Sequence, residues 1–360
     1  MKELYLVMLL LGLLLSLFGW LRGLVLINSL LAVIIVYIFS IFIGFRSESS
    51  GVDTASYLNY FNSLKKNENT NFSFEIGFEY FSYYLSQITT GDIYIFLLSF
   101  IQLMFITLSA KNLNIKNIII VPILYLSFLP GLDMLTNGIR GGSAIAIGLP
   151  LLMITVIKRN RLAPLNFLPM LFHASYGIIS LISLFTNSFS SVRNNKIIFI
   201  ASILFFCTWL IIEPYFILEK VNFLSGSFSV FGKLVRYLLI EKELMSSSVK
   251  LYFILLSLSF SFFYFYIINS CTKAKQDILL NKLAFITLVG QLVYAFVSFG
   301  EYSYRFMFLV YPLQIILTAY ILDNYVSGLR RLFFLILFVL TGSVITYSSN
   351  TFQSFELLNL

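Results

Sequence analysis

Charged residues cut the chain into a succession of long apolar stretches, and this segmentation constrains the fold more than any other feature. Runs without Asp, Glu, Lys or Arg cover residues 4–21, 23–45, 93–110, 117–132, 141–157, 162–192, 197–212, 251–272, 283–300, 306–322 and 332–355. Most have the length of one helical crossing of a bilayer, about 18 residues. They are continuous rather than alternating, which excludes a β-barrel. Hydrophobic residues make up 59% of the chain and charged ones 11%, and mean hydropathy is +0.91. Together these predict an all-α polytopic integral membrane protein. The stretch 162–192 is too long for one comfortable crossing and short for two, and it contains Pro164, Pro169, His173 and Gly177, which argue against one straight helix. The expectation is about ten full spans plus a hairpin or re-entrant pair at 162–192, about 11–12 membrane helices in a single membrane domain over 1–360.

The net charge of +8 could point to nucleic acid. In a chain this apolar the basic excess instead sets topology, with attraction to membrane lipid as a by-product, and no nucleic-acid partner is expected. Lys158-Arg159-Asn160-Arg161, the lysines 273, 275 and 282, and Arg330-Arg331 read as cytoplasmic clusters. All three fall on one side only if 162–192 is a hairpin, which leaves both termini external. Two long polar connections, 46–92 and 213–250, then lie outside. Within the first, Tyr57, Tyr60, Phe61 and Leu64 recur at helical spacing, as do Phe74, Phe78, Phe81 and Leu85. Both sets predict amphipathic helices lying on the outer leaflet. Cys207 and Cys271 have no metal or redox spacing, and with one histidine in the chain no metal site and no cofactor are expected.

Several polar groups could carry chemistry. Arg140 opens an apolar segment inside Asn137-Gly138-Ile139-Arg140-Gly141-Gly142-Ser143-Ala144. A guanidinium keeps its proton, so it must sit at the bilayer edge or face a wet, anion-containing cavity. With a helix N-terminus beside it, the arginine makes a receptor for phosphate. Arg46, Asp53 and Tyr57 follow the second span and read either as an interfacial arginine with a capping aspartate or as the edge of a site for an anionic, hydroxyl-rich ligand. Glu75 and Glu79 would stack on one helix face, as a solvated pair or as a tuned general base. His173 is either a packing residue or, if the hairpin brings it to the outer surface near Arg140, a proton acceptor or a phosphate ligand. Glu301 and Arg305 are an i, i+4 pair, a salt bridge or a ligand contact. No Walker A loop, dinucleotide-binding glycine pattern, nucleophile elbow or His-Glu-x-x-His is present.

The order of these pieces resembles the EpsG-like group of Wzy-type polysaccharide polymerases. The matching residues are Arg46 with Gly51-Val52-Asp53 and Tyr57, then Glu75-Ile76-Gly77-Phe78, then Ile139-Arg140-Gly141-Gly142-Ser143-Ala144, Phe172-His173-Ala174-Ser175 and Tyr304-Arg305-Phe306. The chain departs from the group's pattern at Gly141, where Gln is common, and at Ile76, where Pro is common. The resemblance implies a GT-C-like, metal-independent glycosyltransferase in the bacterial cytoplasmic membrane. Its activity would join oligosaccharide repeat units carried on undecaprenyl pyrophosphate at the outer face, alongside export-pathway membrane proteins and a chain-length regulator. Arg140, His173 and Asp53 would then be catalytic, and Arg46, Tyr57, Glu75, Glu301 and Arg305 would bind substrate. A membrane acyltransferase of surface glycans and a lipid-linked oligosaccharide flippase or transporter are the alternatives, the latter disfavoured by the absence of an inverted repeat.

Overall fold

The computed structural model describes residues 2–22, 25–48, 50, 53–66, 74–158, 163–211, 247–298 and 304–348, and every regular element among them is helical. In chain order these are α1 (Lys2–Arg22), α2 (Val25–Gly44), α3 (Thr54–Lys65), α4 (Ile76–Ile88), α5 (Gly91–Asn112), α6 (Ile120–Ser127), α7 (Leu129–Thr136) and α8 (Ile139–Lys158). After two 3-10 segments come α9 (Gly177–Phe189), α10 (Val192–Ile211), α11 (Ser247–Ser270), α12 (Thr272–Gln276), α13 (Ile278–Val297), α14 (Tyr304–Asn324) and α15 (Gly328–Ser348). Among the described residues seven helices are long and apolar enough to cross a membrane: those within α2, α5, α8, α11, α13, α14 and α15. The stretch 4–21 and residues 197–211 are helical as well, in α1 and α10. The external connection expected at 213–250 falls almost wholly outside the described residues.

The helices cluster into two compact units, residues 1–184 with 319–360, and residues 185–318. In the first, α5 packs between α2 and α8, and α1 and α15 both lie against α6. In the second, α13 packs on α10 and α11. Polar side chains tie this second bundle together from within. The Asn195 amide donates to Tyr264 Oη at 2.9 Å and to the Asn281 carbonyl at 3.1 Å. Gln314 Nε2 likewise donates to Ser257 Oγ at 3.0 Å. Such bonds hold helices together where burial of apolar surface alone gives little drive.

The apolar stretch 117–132, expected as a crossing, is not one helix. It breaks at Phe128, which is extended (φ −108°, ψ 146°) between the eight-residue helices α6 and α7. Eight residues rise about 12 Å, well short of a bilayer. Pro130 in the first turn of α7 starts a new helix rather than continuing the old one. A broken helix at this depth requires other groups to take its freed carbonyls. Tyr5 Oη donates to the Leu126 carbonyl, and Thr346 Oγ1 donates to the Ser127 carbonyl at 2.9 Å. The side chains of α1 and α15 therefore cap α6. Thr346→Val, which keeps the shape but removes the donor, should lower stability by about 1 kcal/mol, with Tyr5→Phe adding a similar amount. Thermal unfolding of the detergent-solubilised protein measures both, and an unchanged Tm in the double variant would show that these bonds do not hold the break.

The segment 162–192 is also not one straight helix. A 3-10 helix at Ala163–Leu171 leads through Phe172 and His173 to a single 3-10 turn at Ala174–Tyr176 and then into α9. Nine residues of 3-10 helix are long for that form. Asn166 pins the segment: its amide donates to Thr155 Oγ1 of α8 and Ser183 Oγ of α9, both at 3.0 Å. Ser180 Oγ donates back to the Asn166 carbonyl at 2.5 Å. The turn at 172–173 is thus held against α8, which sets the position of His173.

Candidate active site

The site begins with aromatic packing. The predicted helices carrying Tyr57, Tyr60, Phe61 and Leu64 and carrying Phe78, Phe81 and Leu85 are present as α3 and α4, and Phe74 lies just before α4. Their apolar faces are turned onto each other and onto Tyr94, Ile95 and Leu98 of α5. Tyr60 and Phe74 meet edge to face at 4.6 Å, and Phe61 stacks on Tyr94 at 4.6 Å. Ring pairs of this kind add to the area they bury, so the two short helices form a fixed platform. Ile139, the first residue of α8, belongs to the same cluster. The next residue, Arg140, is thereby placed on the platform's edge.

Arg140 is half-buried. Its Nη1 makes an ion pair with Glu75 Oε2 at 2.8 Å, with about a quarter of each side chain exposed. Its guanidinium lies over the Phe74 ring at 4.2 Å, a favourable cation–π geometry. Its Nε is buried without a hydrogen-bond partner among the described residues. A cation in the first turn of a helix opposes the helix dipole, so an anion at this point is electrostatically favoured. In this structure the anion is Glu75. The other carboxylate oxygen, Glu75 Oε1, accepts from the Ala174 backbone N–H at 3.3 Å.

Gly77 explains how α4 comes so close. A Cβ there would lie 2.7 Å from the Leu171 carbonyl oxygen, so any side chain would push α4 off the 3-10 segment and pull Glu75 from Ala174. Phe78 is fully buried in the aromatic cluster. The three fixed letters of Glu-x-Gly-Phe thus have three jobs: ion pair, close approach and anchor. Gly142 plays a similar part in α8, where a Cβ would come within 2.4 Å of Gln102 Oε1. Gly141 differs, because a Cβ there would meet only His173 Cδ2, at 4.0 Å.

His173 therefore sits beside the first turn of α8, one residue from Arg140. Its Nδ1 accepts from the Ser175 backbone N–H at 3.3 Å and lies 2.6 Å from Ser175 Oγ. An Nδ1 that accepts leaves the neutral ring's proton on Nε2.

Glu75 and Glu79 do not stack as the sequence suggested. Helix α4 starts at Ile76, which leaves Glu75 extended outside it (ψ 141°). Glu79 reaches back to accept from the Phe74 backbone N–H at 2.8 Å. One carboxylate faces Arg140 while the other caps the helix entry. Asp53 stands at the N-cap position of α3, but its side chain makes no capping bond. Burial raises the Tyr57 phenol above its ordinary value, with Arg140 pulling it down and Asp53 pushing it up. Burial, then Glu79, push Tyr60 up to about 12. Both phenols stay neutral at physiological pH and are donors, not bases.

Arg46 is placed elsewhere. It is 2% exposed. Its guanidinium donates to the carbonyls of Ile43 at 2.7 Å, Thr136 at 3.1 Å and Ser50 at 3.3 Å, and to Thr54 Oγ1 at 3.0 Å. It closes the C-terminal ends of α2 and α7, where helix dipoles favour a cation, and holds the first residue of α3. Burial lowers it to about 9, still protonated at neutral pH. Glu301 lies outside the described residues, and Arg305 lies in α14 with its side chain outside them. The structure thus brings Glu75, Arg140 and His173 together with Tyr57, and Asp53 begins the same helix as Tyr57. The sequence reading missed two partners here. Phe74 was legible only as a packing residue, and the Ala174 N–H is backbone, so no residue type announces it. No group of three or more His, Cys, Asp or Glu able to hold a metal occurs among the described residues.

A half-buried arginine fixed on an aromatic platform beside apolar helices long enough to span a bilayer defines a multi-pass membrane protein with a polar site at the helix ends. The EpsG family profile matches residues 29–359, and the chain belongs to that family, which suggests a role in polysaccharide polymerisation. No curated protein and no solved structure matches the chain.

Proposed function

We propose that this protein is a glycosyltransferase that joins oligosaccharide repeat units carried on undecaprenyl pyrophosphate, at the outer face of the bacterial cytoplasmic membrane. The observation that supports it most is the Arg140 guanidinium, held on aromatic residues and already facing an anion. In such a reaction the bond between the sugar's anomeric carbon and the diphosphate oxygen breaks, and the lipid diphosphate departs with the electron pair. A new bond forms from the incoming sugar hydroxyl to that carbon, and the hydroxyl proton must be taken up. Fixed positive charge where negative charge develops is the main catalytic requirement. Arg140 meets it. The sequence alone favours His173 as the base. Asp53, at the head of the helix that carries Tyr57, is the second candidate for that role. Tyr57, a neutral donor, orients the substrate, and grooves between spans hold the polyprenyl tails. Glu301 and Arg305 retain their assignment as substrate-binding residues.

The test is the lipid-linked glycan profile of a deletion strain. Single repeat units on the lipid, exposed outside the membrane, are expected. Units trapped on the inner face would indicate a flippase, and full-length polymer lacking an acyl group would indicate an acyltransferase.

A further inference from the structure

The carboxylate of Glu75 bears two hydrogen bonds that a phosphate oxygen could equally receive: one from Arg140 Nη1 at 2.8 Å and one from the Ala174 N–H at 3.3 Å. We propose that Glu75 is a displaceable counter-ion which holds the anion seat until substrate binds and is then exchanged for the diphosphate of the lipid-linked donor.

This proposal rests on the reading of Arg140 as the diphosphate receptor. Three observations support the exchange. First, both partners of the ion pair are about a quarter exposed, so solvent screens it and it is weak enough to open. Second, Glu75 precedes α4 in extended backbone and belongs to no helical hydrogen-bond ladder beyond its carbonyl, which accepts from Glu79 N at 3.0 Å. Its side chain can swing away while α4 stays in place, since Gly77 and Phe78 carry the packing. Third, without a counter-ion Arg140 would stand unpaired in the first turn of α8, against the dipole. A resident carboxylate keeps the arginine aligned over Phe74 until substrate arrives. A diphosphate then offers the same donors more charge and more acceptor oxygens. The seat therefore discriminates: a single carboxylate or a neutral sugar does not displace Glu75 efficiently, whereas a diphosphate does.

Inorganic pyrophosphate is the probe, titrated by calorimetry into the full-length protein in neutral detergent. The wild type should bind it weakly. Glu75→Gln removes the competing charge at nearly constant shape and should bind about tenfold more tightly. Glu75→Asp keeps the charge but shortens the reach to both donors, and should tighten binding by a smaller factor; it also serves if the glutamine variant does not fold. Arg140→Ala should bind no pyrophosphate. If Glu75→Gln or Glu75→Asp binds as the wild type does, or more weakly, Glu75 orients Arg140 rather than competing for it, and the exchange is overturned while the receptor stands. If neither the wild type nor the Glu75 variants bind pyrophosphate, the receptor assignment falls first and the exchange with it.

Discussion

Arg140→Ala should reduce polymer synthesis by two to three orders of magnitude while leaving the protein folded. The size of the loss follows from the role. Removing one fixed group that stabilises developing negative charge costs about 10²- to 10³-fold in turnover. Stability should change little, because the lost ion pair is partly exposed and such pairs contribute about 1 kcal/mol or less. The aromatic platform under the arginine does not depend on it, since Tyr57, Tyr60, Phe61, Phe78 and Tyr94 bury one another. Arg140→Lys should recover only part of the activity, because an ammonium cannot present two parallel donors to a phosphate and stacks less well on Phe74. The readouts are the glycan ladder made by cells carrying each variant and the Tm of each purified protein. A full ladder from a stably inserted alanine variant would remove Arg140 from the chemistry.

That separation of activity from stability was only partly legible in the sequence. Helix class and most helix positions followed from charge spacing, because a charge in hydrocarbon is costly and the apolar runs record where it is absent. The break at Phe128 was hidden: Leu, Ile, Pro and Phe of 117–132 read as one crossing, and only the donors from Tyr5 and Thr346 make a broken helix affordable there. The meeting of Glu75 with Arg140 spans 65 residues of sequence and could not be read from local spacing. Local spacing pointed instead to Glu79, four residues on, because nothing in the sequence fixes the helix start at Ile76. Likewise Arg46 and Arg140 look alike as arginines at the edges of apolar runs. Which one faces a ligand depends on what packs around it.

Arg46 supplies the contrasting result. Arg46→Ala should strongly destabilise the protein, by about 2–6 kcal/mol against a total stability of about 5–15 kcal/mol. The residue is buried among the carbonyls of Ile43, Ser50 and Thr136 and the hydroxyl of Thr54. Truncation strands the Ile43 and Thr136 carbonyls away from water, while the Ser50 carbonyl keeps the Thr54 hydroxyl as donor, and each stranded group costs about 1–3 kcal/mol. Arg46→Lys keeps a charge near the two helix ends but cannot fan out to four acceptors on different elements, so an intermediate loss is expected. The failure should also propagate. Through Thr54 the guanidinium fixes the start of α3, and α3 carries Tyr57 and the platform on which Arg140 rests. Any Arg46 variant that does fold should therefore bind pyrophosphate less tightly without contacting it. Thermal unfolding in detergent and pyrophosphate titration measure the two effects. An Arg46→Ala protein with wild-type Tm and lost activity would place this arginine on the substrate, and the internal brace described here would be wrong.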